Sequence, residues 1–183
     1  MQLSRNIKIL LIGANLWYFG EGMLGPLFAV YAEKVGGDIL DITWAWATFL
    51  IMTGIMYIIV GKTINGKDKK AKVMVAGYAF NALFTFAYLF VSKPWQLLIV
   101  QAGLGIAEAL GTPTWDALFA QNAPKDDTFS WGLAGGQAQI VTGIAIISGG
   151  LIVHFLSFNV LFMTMGCMQV IATIIQARIL KIK

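Results

Sequence analysis

The sequence predicts an all-α integral membrane protein, with six transmembrane helices forming two inverted sets of three. Three observations predict it. Of 183 residues, 58% are hydrophobic and only 12% are charged, which leaves too little polar surface for a soluble domain of this size. Apolar runs of about 20 residues, enough to cross a hydrocarbon core of about 30 Å, recur along the chain. Two hexapeptides, EGMLGP from Glu21 to Pro26 and EALGTP from Glu108 to Pro113, repeat a glutamate and a proline at one spacing, in spans that run in opposite directions.

The first span, Ile7–Ala32, begins almost at Met1 and contains Glu21. It lacks a short apolar core with a small-residue cleavage site, so it does not read as a removable signal peptide. The second, Ile42–Ile64, carries Ala47, Gly54 and Gly61 at intervals of seven. The third, Val73–Val91, follows the basic cluster KDKKAK and contains Asn81. The fourth, Trp95–Ala120, starts just after Pro94 and contains Glu108. The fifth, Ser130–His154, places Gly132, Gly136, Gly143 and Gly150 close to one face. The sixth, Phe158–Ala177, holds the lone Cys167, which has no partner for an internal disulfide and reads as a small packing residue. Connectors are short, so residues 1–183 form a single membrane domain.

Lysine and arginine in those connectors set the orientation. Arg5, Lys8, Lys62, Lys67, Lys69, Lys70, Lys72, Lys125, Arg178, Lys181 and Lys183 lie on the side of the amino terminus, against Lys34 and Lys93 on the other. Both termini are therefore expected in the cytoplasm, in a plasma (inner) membrane. The net charge of +4 reads as membrane topology. No nucleic-acid partner is expected, because the basic cluster lacks aromatic interleaving and a basic fold.

The candidate site lies near the bilayer midplane. On the fourth span Gln101, Gly105, Glu108, Thr112 and Trp115 follow spacings of 4, 3, 4 and 3, which keeps them on one helix face. Such a stripe must face protein or water, because lipid cannot satisfy it. Trp17, Glu21, Gly25 and Phe28 make a more aromatic stripe on the first span. Asn15, Asn81, Gln137, Gln139 and Gln169 are candidate cavity or interhelical hydrogen bonders. Pro26 and Pro113 each remove a backbone donor, freeing the Gly22 and Ala109 carbonyls one residue past each glutamate, so both are candidate hinges. No Lys, Arg or His falls near the middle of a span. A carboxyl there can be neutral when its surroundings are dry and ionised when water enters, as a proton carrier requires. The same charge would attract a cationic solute, with Trp17, Tyr18 and Trp115 as aromatic neighbours. The motifs of an intramembrane serine protease, a water channel, a metal site or a phosphate loop are all missing, so neither an enzyme nor a cofactor is expected.

These residues resemble one half of a major facilitator superfamily transporter. Six spans with both ends cytoplasmic match its amino-terminal half, and GKTINGKDKK after the second span is similar to the family's loop motif. Gly61 and the basic pair Lys69 and Lys70 match, while Asn65 stands where the family has an acidic residue and Asp68 where it has a second glycine. The fourth span is similar to the family's fourth, with Gln101 in the place of an arginine ahead of Gly105. The fifth is glycine-rich, as in family members, but lacks their Gly-Pro pair. The resemblance implies a secondary transporter that moves a small solute by alternating access, and the carboxyls read above, Glu21 and Glu108, would couple it to protons. Its partners would be membrane lipid, protons and a small-molecule or cationic solute. The family normally has twelve spans in two halves. This chain is therefore expected either to form a parallel homodimer, second span against the partner's fifth, or to be the amino-terminal half of a longer protein. The remaining expectation is a non-transporting membrane module that assembles with a partner.

Overall fold

The computed structural model describes residues 3–65, 69–124 and 128–181. Gly66, Lys67 and Asp68 of the loop motif, with Lys125 and Lys183 of the charge count, lie outside the described residues. Those described form helices and short turns, with no strand among them. The helices are α1 (Arg5–Gly22), α2 (Leu27–Lys34), α3 (Ile39–Ile64), α4 (Lys70–Ala87), α5 (Pro94–Asn122), α6 (Thr128–Phe155) and α7 (Phe158–Ala177). Single 3₁₀ segments, Tyr88–Phe90 and Arg178–Lys181, extend α4 and α7.

Local chemistry explains most boundaries. Asp38 caps α3 by accepting from the Leu40 and Asp41 amides, and Asp41 reaches back to the Asp38 amide, which makes a capping box. Pro94 opens α5, where its missing N–H costs nothing, and Gln96 accepts from the Ser92 and Lys93 amides. Ser157 caps α7 through the Val160 amide. Gly36, at φ +88°, turns the chain after α2.

Five elements are long and apolar enough to cross a membrane: α3, α4 with its 3₁₀ segment, α5, α6, and α7 with its own. Six unbroken spans were expected, and the first, Ile7–Ala32, is not one helix. It stops at Gly22 and resumes at Leu27. Pro26 offers no N–H to the Gly22 carbonyl. The Leu27 amide donates to Leu24 O at 2.7 Å, so it is drawn away from the Met23 carbonyl that a continuous helix would give it. Gly22 and Gly25 each cost a helix about 1 kcal/mol relative to alanine. The second hexapeptide behaves differently. Pro113 sits inside α5, which continues to Asn122. Ala109 and Leu110 are strong helix formers, and this hexapeptide has one glycine instead of two. The equivalence suggested by the matched spacing therefore does not extend to the backbone.

The side of the bundle where α1 begins is its proximal side, and the opposite one its distal side. Helix α5 packs mainly on α4 and α3, α1 on α7 and α6, and α4 on α7. The buried core thus runs mainly between α1, α4, α5 and α7, and few residues of α3 and α6 are fully buried. It forms two apolar clusters. The distal one gathers Met23, Phe28, Tyr31, Tyr88, Leu104 and Phe162. The proximal one gathers Leu10, Trp17, Met74, Tyr78, Phe119 and Ala172.

Glycines set the closest approaches. Gln176 of α7 lies over Gly13 and donates to Leu10 O at 3.1 Å, and Gln169 lies over Gly20 and donates to Trp17 O at 3.1 Å. Both glutamines and both glycines are seven residues apart, so α1 and α7 meet in two rungs of one antiparallel ladder. Each glutamine keeps a buried Oε1 without a hydrogen bond, so the rungs fix register more than they add stability. At the α4–α5 crossing, a β-carbon on Gly77 would stand 2.9 Å from Ala107 O and against the Gly111 backbone. Backbone cannot rotate away as a side chain can. Gly77→Ala is therefore expected to destabilise the fold by about 1–3 kcal/mol. The check is the thermal unfolding midpoint in detergent, and an unchanged midpoint would mean that the crossing has slack.

Candidate functional site

Glu21 stands in the last turn of α1, beside the break. It is partly buried. Asn81, fully buried on α4, donates Nδ2 to Glu21 Oε1 at 2.6 Å, and Thr85, one turn further on, donates to Asn81 Oδ1 at 3.2 Å. That chain fixes which way the Asn81 amide faces. It presents a donor to the carboxyl and stacks three polar groups across the α1–α4 interface. Asn81 stood out in the sequence and Thr85 did not. The position of Thr85 one turn after Asn81 is the signal that could have found it.

Glu108 is held differently. Its Oε1 accepts from Thr112 at 2.7 Å, one turn along α5, and from the Tyr57 hydroxyl of α3 at 3.1 Å. Tyr57 was not expected as a site residue, because it lies in the apolar run IMYIIVG; its hydroxyl within that run was the available signal. Gly105, on the same stripe, serves packing instead. A β-carbon there would stand 2.7 Å from Phe49 O.

Each stripe is split between distal and proximal cavities, and both ends draw on both stripes. A distal cavity of about 120 Å³ is lined by Glu21, Gln101 and Thr85, together with Phe28, Trp46, Phe49, Tyr88 and apolar side chains. A proximal cavity of about 190 Å³ is lined by Asn15, Tyr18, Trp115, Asp116 and Trp131, among others. A small recess of about 30 Å³ shares Tyr18, Trp115 and Asp116 with it, and adds Trp17, Tyr78 and Thr112. Trp17, one turn proximal to Glu21, meets Tyr78 edge-on at 4.4 Å. The sequence-predicted residues thus divide, with Glu21 and Gln101 distal and Asn15, Trp17, Thr112 and Trp115 proximal.

Two of these residues also tie helices together. Trp115 donates Nε1 to Leu10 O at 3.1 Å, the same carbonyl that accepts from Gln176, so one oxygen joins α1, α5 and α7. Asn15 donates to Gln137 Oε1 of α6 at 3.1 Å. The motif residues Gly61, Asn65 and Lys70 gather elsewhere, around a proximal cavity of about 130 Å³ that also touches Pro113 and Thr114. Lys69 is the residue before α4 begins. Pro26 lies exposed at the break. Among the described residues no three His, Cys, Asp or Glu come together in a way that could hold a metal ion.

Comparison with known proteins fits this architecture. The family model described as Major Facilitator Superfamily matches residues 10–182. An uncharacterized MFS-type transporter of Methanocaldococcus jannaschii is 27% identical over 175 residues, which is 95% of this chain and 45% of that protein. The multidrug resistance protein MdtG of Escherichia fergusonii is 22% identical over 123 residues, 65% of this chain and 30% of that protein. The chain spans about half the length of the curated relatives it matches, or less.

Proposed function

The chain belongs to the Major Facilitator Superfamily, and from that premise we propose that it is a proton-coupled secondary transporter for a small solute. It works by alternating access as a parallel homodimer, with Glu21 and Glu108 taking up and releasing protons. It is a multi-pass integral membrane protein. In this reading α1 and α2 together make the sixth crossing, broken at mid-membrane as transporter helices often are around a binding site.

The observation that carries the proposal is Glu21. A carboxyl at a helix break, held by Asn81 and bordering a cavity, is placed both to meet solute and to exchange a proton. The packing supports an inverted repeat. Exchanging the first span with the fourth, the second with the fifth and the third with the sixth maps α1–α7 and α1–α6 onto α5–α4 and α5–α3, and leaves α4–α7 unchanged. The test is reconstitution in liposomes with an imposed pH gradient and a panel of small solutes. Solute movement that ignores the gradient would sink proton coupling.

Assembly through α3 and α6 is supported by their glycines. A β-carbon on Gly54, Gly61, Gly132, Gly136, Gly143 or Gly150 would meet nothing within 4 Å, whereas glycines such as Gly77, Gly105 and Gly149 are filled by neighbours. Small residues left open let another helix approach closely. Cysteines at Gly54 and Gly143 are expected to cross-link between copies, α3 to the partner's α6. The chain's length relative to its relatives favours a second reading, the amino-terminal half of a longer transporter whose other half covers the same faces. Cross-links that never join two copies would decide for that reading. With the termini cytoplasmic, a cysteine at Lys69 is expected to label only from the cytoplasmic side, and labelling from outside alone would invert the topology.

A further inference from the structure

We infer that the distal cavity binds a compact organic monocation, a quaternary or tertiary ammonium of about choline size, between Glu21 and the aromatic faces of Phe28, Trp46, Phe49 and Tyr88. The inference rests on the transporter reading, whose substrate class it names. The residues that would select the ligand come from α2, α3 and the end of α4, and all but Phe28 lie outside the two stripes. They reach Glu21 because α2 resumes beyond the break and α3 lies alongside.

Charge comes first. Among the lining residues Glu21 is the acidic one, and no Lys, Arg or His joins it. An anion would meet a carboxyl with no cation to offset it. A sugar would need several converging donors and acceptors, and beyond Thr85 and Gln101 the lining offers only the edges of Tyr88 and Trp46. A hard inorganic cation would need a shell of oxygens, and most of this wall is carbon. An organic ammonium has its charge spread over alkyl groups, is weakly hydrated, and gains from aromatic faces as well as from a carboxylate.

The geometry suits that chemistry. Phe28 and Trp46 stand 6.0 Å apart between ring centroids, and Trp46 and Phe49 5.7 Å, so α2 and α3 present one continuous aromatic wall. Tyr88 is held by stacking on Phe162 at 4.9 Å and 12°. Met165 adds a polarisable thioether. Asn81 pins the carboxyl, so little ordering remains to be done on binding. The lining residues exposed at the surface are Gly25 and Trp46.

The experiment is equilibrium binding of radiolabelled choline to the purified chain in nanodiscs. Competitors are tetramethylammonium, potassium, glucose and 3,3-dimethylbutan-1-ol, the neutral carbon isostere of choline. Saturable choline binding is expected, displaced by tetramethylammonium and not by the other three. Glu21→Gln is expected to weaken it about tenfold or more, Phe49→Leu about threefold or more, and Phe49→Trp to retain it. No saturable binding by folded wild-type protein, or equal displacement by the neutral isostere, would overturn the inference. So would wild-type affinity in both Glu21→Gln and Phe49→Leu. Binding is read without turnover, so a chain that fails to transport can still show it. Proton-coupled movement of another solute without choline binding would remove this inference alone.

Discussion

Glu21→Gln is expected to reduce proton-coupled solute movement to background while the protein stays folded. A carboxamide has nearly the shape of a protonated carboxyl, and its oxygen can still accept from Asn81, so the Glu21–Asn81–Thr85 chain survives. What is lost is the ability to give up a proton. Glu108→Gln is expected to act in the same way, because a glutamine oxygen can accept from both Thr112 and Tyr57 as Glu108 Oε1 does. The polar stripe of the fourth span, taken alone, ranks Glu108 as the more sensitive position. The geometry reverses that order, since Glu21 borders the distal cavity and Glu108 is occupied by two hydroxyl donors. The measurement is dye-reported proton flux in proteoliposomes, with the unfolding midpoint as the control for folding. If both variants keep wild-type pH-dependent movement, the carboxyls are hydrogen-bond partners only, and the repeated hexapeptide records ancestry and backbone shape.

Hydropathy made most of the fold legible. Five expected spans are helical, with ends displaced by a few residues, because lipid demands long apolar runs whatever the helices pack against. The break in the first span was not legible by the same signal, since EGMLGP is too short a dip to interrupt a long apolar run. Its content of glycine and proline marked a weak point, yet a similar segment around Pro113 stays helical between well-packed neighbours. Local sequence therefore set a tendency, and tertiary packing decided it. The site divides along the same line. Glu21, Glu108 and Asn81 stood out as polar groups in apolar runs. Tyr57, Phe49 and Trp46 did not, because an aromatic residue in a membrane helix looks alike whether it faces lipid, a neighbour or a cavity. The Gln169 and Gln176 ladder needed two helices to be placed side by side before its matched seven-residue intervals meant anything.

Leucine at Gly149 and leucine at Gly143 are expected to have opposite effects, because these glycines lie on different faces of α6. One face meets the break in the first span. Thr142, Ala145 and Gly149 follow at intervals of three and four, and a β-carbon on Gly22 would contact Ala145 and Thr142. A β-carbon on Gly149 would fall directly on the Met23 carbonyl, one of the groups the break leaves without a helical donor. Only a bare backbone can lie there, so Gly149→Leu must push α6 away from α1 at the midplane. A cost on the order of 3 kcal/mol is expected, with a fall in the unfolding midpoint that appears even in detergent-dispersed single chains. On the other face, a β-carbon on Gly143 would meet nothing. Gly143→Leu adds helix propensity of up to about 1 kcal/mol, so the isolated bundle should be as stable as before or more so. The loss should fall on assembly, because the leucine fills the space that a second helix needs. The dimeric fraction in detergent, and transport with it, should drop to background while the unfolding midpoint holds. If Gly143→Leu transports like the wild type, that face of α6 meets lipid alone, and the partner helix must dock elsewhere.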